Sequence, residues 1–207
     1  MIFNIVIDAN IGAGKTTLIK NLKDSLKSND DIVYNFFEEN VSSWMEEGWL
    51  QKYYSDIPRY AASFQTKVLL SHIQQKKEIT EINKNQSHKT IVNICERSAI
   101  TTVNIFSNML INDGSMDKLE LGIHRQLLEM FEYGKPDLLI YLDVKPDMAY
   151  ERLKKRSRTG ECSISLEYLI KLNDMYIQEL DSLAKKILVI DGNNNESYVL
   201  EKCLEVI

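Results

Sequence analysis

Five short runs of mostly aliphatic and β-branched residues punctuate the chain: Ile2–Ile7, Ile32–Phe37, Thr90–Cys95, Leu138–Leu142 and Ile187–Ile190. Each predicts a β-strand. Between them lie longer stretches whose apolar positions recur every three to four residues, the period of a helix with one buried face. Strands alternating with helices predict an α/β fold, a five-stranded parallel sheet with helices on both faces. The run LLIYL at 138–142 is apolar throughout, as a strand covered on both faces must be.

The longest helical stretch extends from about Pro58 to Asn85, with Pro58 suited to a first turn. Ala61, Phe64, Gln65, Val68 and His72 share one face. A core-facing stripe has no need of a glutamine and a histidine. Either something polar lies against it, or Gln65 and His72 sit at its margin in water.

A length of 207 residues suits one domain, 1–207, with a sizeable core. The formal charge of −5 argues against non-specific nucleic-acid binding. No run of about 18 apolar residues is present, so no membrane-spanning helix is expected. The start, MIFNIVIDAN, lacks a basic flank and reads as a strand rather than a signal peptide. Cys95, Cys162 and Cys203 have neither metal-site nor disulfide spacing, which points to a reducing, cytoplasmic setting. Ser87–Thr90 and Gly192–Ser197 read as connections.

The first chemical signal follows the first strand. Residues 9–16, read against G-x-x-x-x-G-K-[ST], match at Gly14, Lys15 and Thr16 and carry Ala9 in place of the first glycine. In such a loop, backbone N–H groups from Asn10, Ile11, Gly12, Ala13, Gly14 and the helix start through Thr17 point at phosphate oxygens. Lys15 supplies positive charge and the Thr16 hydroxyl a Mg²⁺ ligand. Glycine is favoured where φ is positive, so Ala9 implies a strained or altered loop.

Further stretches fall at matching intervals: EENVSSW (38–44), YSDIPRYAASFQ (54–65), ERS (96–98), RLKKRSRTGE (152–161) and LEYL (166–169). With the loop, they make nearly the whole chain resemble the deoxyribonucleoside kinase family. That resemblance implies a P-loop kinase fold with an arginine-rich lid over about residues 152–163. It implies ATP with Mg²⁺ as donor, a deoxyribonucleoside as acceptor, and a homodimer with no nucleic-acid or membrane partner. By the same match Glu39, with Glu38 as fallback, is the base that takes the 5′-hydroxyl proton. Glu96 lies near Mg²⁺, and Arg97 near the transferred phosphate. Trp44, Phe64 and Phe106 enclose the base, Gln65 reads it, and Tyr54 with Glu161 holds the sugar 3′-hydroxyl. Arg152, Arg156 and Arg158 close on the donor phosphates. Asn40, Gly160 and Ser165 depart from the family's proline, glutamate and proline, and Gly160 is expected to loosen the lid.

For the base, the resemblance points to Val68, His72 and Thr102. Cytidine-preferring and purine-accepting members carry an arginine and an aspartate where this chain has His72 and Thr102. Losing that charged pair leans the chain toward pyrimidines, thymidine or deoxycytidine. His72 is expected to titrate near neutrality. Two other readings share the loop, a thymidylate-type monophosphate kinase and a nucleotide-binding module without turnover. The apolar spacing of Leu119–Tyr133 fits either a dimer surface or core packing.

Overall fold

The computed structural model describes every residue except Ser87, Thr159, Gly160 and Cys162. The looser lid expected at Gly160, the third cysteine and the first residue of the 87–90 connection therefore lie outside the described residues. Five parallel strands stand in the order β2-β3-β1-β4-β5. They are β1 Ile2–Ala9, β2 Ile32–Phe37, β3 Thr90–Glu96, β4 Leu138–Asp143 and β5 Ile187–Asp191. All five expected strands are present. Four of them run past the apolar stretch at the carboxyl end, and each extension takes in an acid: Asp8, Glu96, Asp143 or Asp191.

The strand order puts β1 at the centre, paired with β3 and β4. Ile7, Ile94, Leu139 and Ile140 are wholly buried there. Register is fixed partly by amides. Asn4, Asn93 and Asn35 are aligned partners on β1, β3 and β2. The Asn93 amide donates to Asn4 at 3.0 Å and accepts from Asn35 at 3.1 Å. A slip of one residue would break both bonds and leave the buried Asn93 amide unpaired, so the ladder selects one pairing.

The helices are α1 Lys15–Ser25, α2 Val41–Glu46, α3 Trp49–Ser55, α4 Ile57–Asn85, α5 Ala99–Thr101, α6 Asn108–Asn112, α7 Lys118–Met130, α8 Pro146–Arg156, α9 Leu166–Glu179 and α10 Glu196–Leu204. A π-turn, Thr102–Ser107, joins α5 to α6. The first helix packs against α10, and α4 packs against α3, α7 and the π-turn. Asp56 caps α4 by accepting from the Arg59 N–H, and Pro58 sits in the first turn as expected. Gln65 and His72 are buried along this helix at 3% and 2% exposure. The watery-margin reading therefore fails, and the polar stripe faces the interior. Among the described residues, no helix is long and apolar enough to cross a membrane.

Between β1 and α1 the chain makes the phosphate loop. Its left-handed residues are Gly12 (φ 80°) and Gly14 (φ 103°). A methyl group on Gly12 would collide with the Ala149 carbonyl of α8. Ala9 is different. It is the last residue of β1, wholly buried, and has no positive φ. The strain expected of Ala9 is therefore absent, because the residue that replaces the first glycine still belongs to the strand. Ala9→Gly should leave turnover unchanged while lowering stability by about 1–2 kcal/mol, from a lost buried methyl and a freer unfolded chain. A rise in turnover in a steady-state assay would show instead that Ala9 constrains the loop.

Candidate active site

Open parallel sheets bind ligands beyond the carboxyl ends of their strands, and the four acidic extensions end there. A cavity of about 900 Å³ opens at that edge. It is lined by the phosphate loop, by Arg152, Arg156 and Arg158, and by Trp44, Tyr54, Phe64, Gln65, Val68, Thr102 and Phe106. Glu39, Glu96 and Arg97 also lie on its wall, with Arg97 touching both the Ala9 carbonyl, where the phosphate loop begins, and the Phe106 ring.

Arg97 is the hub of this wall. It follows β3 directly and is held at φ 57°, a conformation disfavoured for any residue with a side chain. Its guanidinium donates to Glu39 Oε2 at 2.6 Å and to the Ala9 carbonyl at 3.3 Å. Its Nε, without a hydrogen-bond partner, lies 3.5 Å from Asp8 Oδ1. The guanidinium also sits over the Phe106 ring at 5.0 Å. Burial opposes the Arg97 charge, but Glu39, Tyr176, Asp8 and Glu96 outweigh it and keep the group ionised.

Asp8 was given no role by the sequence, yet it is wholly buried with both oxygens engaged. Oδ1 accepts from the Tyr176 hydroxyl at 2.7 Å and the Ala9 N–H at 2.8 Å, and Oδ2 accepts from Thr101 at 2.5 Å. The one available signal was a lone acid inside an apolar strand, a position where charge survives only with partners.

Lys15 is 5% exposed, and its ammonium donates to the carbonyls of Ala9 and Asn10 at 3.2 and 3.0 Å. Burial, reinforced by the Arg97 charge, pulls its pKa down to about 8. Thr16 donates toward both oxygens of Glu96, at 3.2 and 3.3 Å. Burial and the neighbouring charge of Glu39 raise the Glu96 carboxyl above its ordinary range. A hydroxyl and a carboxylate so placed are hard oxygen donors of the type Mg²⁺ takes, alongside water and phosphate. Ile11, Gly12, Ala13, Gly14 and Thr17 also line the cavity. Asn10 does not. Its amide donates to the Leu169 carbonyl of α9 and accepts from the Ile11 N–H, so its side chain anchors the loop.

Arg152, Arg156 and Arg158 are all engaged within the protein. Arg152 donates to the carbonyls of Ala13 and Gly192, both at 3.1 Å, joining α8 to the loop. Arg156 and Arg158 donate to the two oxygens of Glu161, at 2.5 and 3.2 Å. Glu161 is 5% exposed and close enough to Tyr54 to raise the phenol's pKa, after burial, which is the main cause.

In the aromatic part of the lining, Trp44 lies edge-on to Phe64 with ring centroids 5.8 Å apart, and its indole N–H donates to Ser71. Tyr53 and Tyr168, neither singled out by the sequence, also line the cavity and bond hydroxyl to hydroxyl at 3.0 Å. Glu38, the fallback base, has an exposed side chain, whereas that of Glu39 is 8% exposed and on Arg97. His72 departs from expectation. It is buried, does not line the cavity, and its Nε2 has no partner. Burial and the Arg97 charge push its pKa down to about 4, so it stays neutral where titration was expected.

Comparison with known proteins fits this geometry. A protein of Invertebrate iridescent virus 6 is 34% identical over 191 residues, 92% of this chain and 89% of that one. The deoxyadenosine kinase of Dictyostelium discoideum is 31% identical over 207 residues, 99% of this chain and 77% of that one. The solved deoxyadenosine kinase of M. mycoides, with dCMP and a flexible dCDP bound, superimposes with a TM-score of 0.79 at 23% identity, covering 98% of this chain and 97% of that one. The profile of the deoxynucleoside kinase family matches residues 5–206. With the phosphate loop, the buried acid–arginine wall and the aromatic pocket on one sheet edge, the chain belongs to the deoxynucleoside kinase family, whose members phosphorylate nucleosides.

Proposed function

We propose that this enzyme transfers the γ-phosphoryl of ATP to the 5′-hydroxyl of a deoxyribonucleoside, with thymidine or deoxycytidine preferred. The observation that carries the reading is the short bond from Arg97 to Glu39 on the wall between the phosphate loop and the aromatic pocket. A carboxylate there takes the hydroxyl proton as the phosphoryl arrives. Arg97, freed from Glu39, turns to the charge spread over the phosphoryl oxygens. Lys15 and the loop N–H groups hold the donor phosphates. Arg156 and Arg158 leave Glu161 for those phosphates, and Glu161 joins Tyr54 on the sugar 3′-hydroxyl. Closing the donor side thus completes the acceptor side.

Thr16 and Glu96 are the residues that would hold Mg²⁺. When bound, it neutralises phosphate charge.

Pyrimidine preference is supported by the uncharged surroundings of the base. Gln65 offers one amide donor and one acceptor, Thr102 offers a hydroxyl already directed at the Ser98 carbonyl, and His72 stays neutral outside the cavity. The D. discoideum relative is named for deoxyadenosine, so base choice is decided by assay. An aromatic and amide pocket favours a neutral nucleoside over a monophosphate, which would need additional cations. We also propose a homodimer through α7. Leu121 and His124 face the core, while Leu119, Ile123 and Met130 are 82%, 55% and 75% exposed. The segment thus has both a core face and an apolar outer face. ATP consumption should rise with thymidine or deoxycytidine more than with deoxyadenosine, deoxyguanosine or thymidine monophosphate. A better purine or monophosphate substrate overturns the base or acceptor assignment respectively. Glu39→Gln should lower kcat by about 10²–10⁴-fold with nucleoside affinity retained. Near-normal kcat would remove Glu39 from the base role.

The lowered pKa of Lys15 sets a pH dependence for the donor. Phosphate anions favour the charged ammonium, so binding raises this pKa and takes up a proton. Affinity for a non-hydrolysable ATP analogue should therefore fall as pH rises through about 8. Titration calorimetry in buffers of different ionisation heat should detect the proton uptake just above that pH. Equal observed heats in all buffers, with flat affinity, would contradict it.

A further inference from the structure

Two helical segments enclose the base end of the cavity. One is α4, which carries Gln65. The other is the π-turn, which carries Thr102 and Phe106. π-turns are rare and cluster at functional sites, because the extra residue re-aims the side chains around it. Here Ser107, next to Phe106, bonds its hydroxyl to the Thr102 carbonyl five residues back, at 3.0 Å.

A single imidazole joins the two segments. His124 of α7 is 1% exposed. Its Nδ1 lies 3.1 Å from the Ser107 hydroxyl, and its Nε2 lies 2.9 Å from the Thr66 hydroxyl. Thr66 is the neighbour of Gln65, and its hydroxyl also reaches the Ala62 carbonyl at 2.7 Å. Both ring nitrogens are thus committed one residue away from a base-contacting side chain.

The proton count closes for a neutral ring. With Nε2 protonated, the ring donates to Thr66, Thr66 donates to Ala62, and Ser107 donates to bare Nδ1. With Nδ1 protonated, the ring donates to Ser107, Ser107 donates to Thr102, and Thr66 donates to bare Nε2. Either tautomer leaves no buried polar atom of the three side chains unpaired. Burial pushes the ring toward this neutral form. His124 has no place in the cavity lining, so it cannot act on substrate directly.

We infer that His124 is a positioning residue of the nucleoside pocket, setting the distance between Gln65 on α4 and Phe106 on the π-turn through Thr66 and Ser107. The inference rests on the nucleoside reading of Gln65 and Phe106 given above. Its consequence is confined to the acceptor, because the donor is held by the phosphate loop and α8, which His124 does not touch. Loss of the clamp loosens contacts made to the base in ground and transition states alike, which raises KM more than it lowers kcat.

The test measures acceptor KM, ATP KM, kcat and melting temperature for His124→Leu, Thr66→Val and Ser107→Ala. His124→Leu should raise nucleoside KM about tenfold, with ATP KM unchanged and kcat within about twofold. Thr66→Val and Ser107→Ala, each removing one arm, should raise it by a smaller factor. Adding either to His124→Leu should bring little more, since the arm is already lost. His124→Gln, which keeps an amide donor and acceptor, should recover part of the KM. If His124→Leu does not fold, the two single-arm variants carry the test. An unchanged nucleoside KM in well-folded variants, or parallel changes in nucleoside and ATP KM, would overturn the inference. Failure of the nucleoside reading would look different, as a wild-type enzyme that phosphorylates no deoxynucleoside.

Discussion

A guanidinium buried at the end of a β-strand survives only if acids are brought to it. Arg97 is that group, and much of the site can be read as the means of supplying its partners. Asp8 comes from β1, the neighbour of β3 on one side, and Glu39 from just past the end of β2, its neighbour on the other. Asp8 is in turn held by Tyr176 of α9 and Thr101 of α5. The same Ala9 carbonyl accepts from Arg97, Lys15 and Tyr176, so the strand end that launches the phosphate loop belongs to the same network. Sheet order, loop placement and the strained backbone at Arg97 are thereby linked.

The charges of the site neutralise one another. Glu39 is on Arg97, and Glu161 is on Arg156 and Arg158. Each pair joins arginine to the carboxylate of a glutamate. In the reaction we propose, substrate binding acts as partner exchange, in which phosphate takes the arginines and the nucleoside takes the carboxylates. An exchange of this kind replaces one partner by another, and a buried charge left without either is costly in a site of low polarity.

Much of this was legible in the sequence. Strand positions, the long helix and the phosphate loop follow from periodicity and motif spacing, and the acid, arginine and aromatic positions from the family resemblance. What escaped has a common physical origin. Apolar runs stop before the polar strand ends, so Asp8 was passed over although it anchors the hub. The missing glycine at Ala9 looked like strain because a motif does not say where the strand stops. His72 looked titratable because helical spacing reports a face but not its depth. The clamp formed by His124, Thr66 and Ser107 joins residues distant in sequence, and no local pattern signals such a contact. Tyr168 belongs to a motif that gives it no role of its own, and no motif marks Tyr53 beside Tyr54.

The most direct test of this account is a double-mutant cycle on unfolding free energy with Glu39→Gln, Arg97→Gln and the double variant. If Arg97 and Glu39 form one buried, mutually dependent pair, the double variant should be more stable than the sum of the singles predicts, by more than about 1 kcal/mol. Additivity within about 0.5 kcal/mol would mean that the two side chains act independently. Arg97 would then not be the constraint around which the site is built.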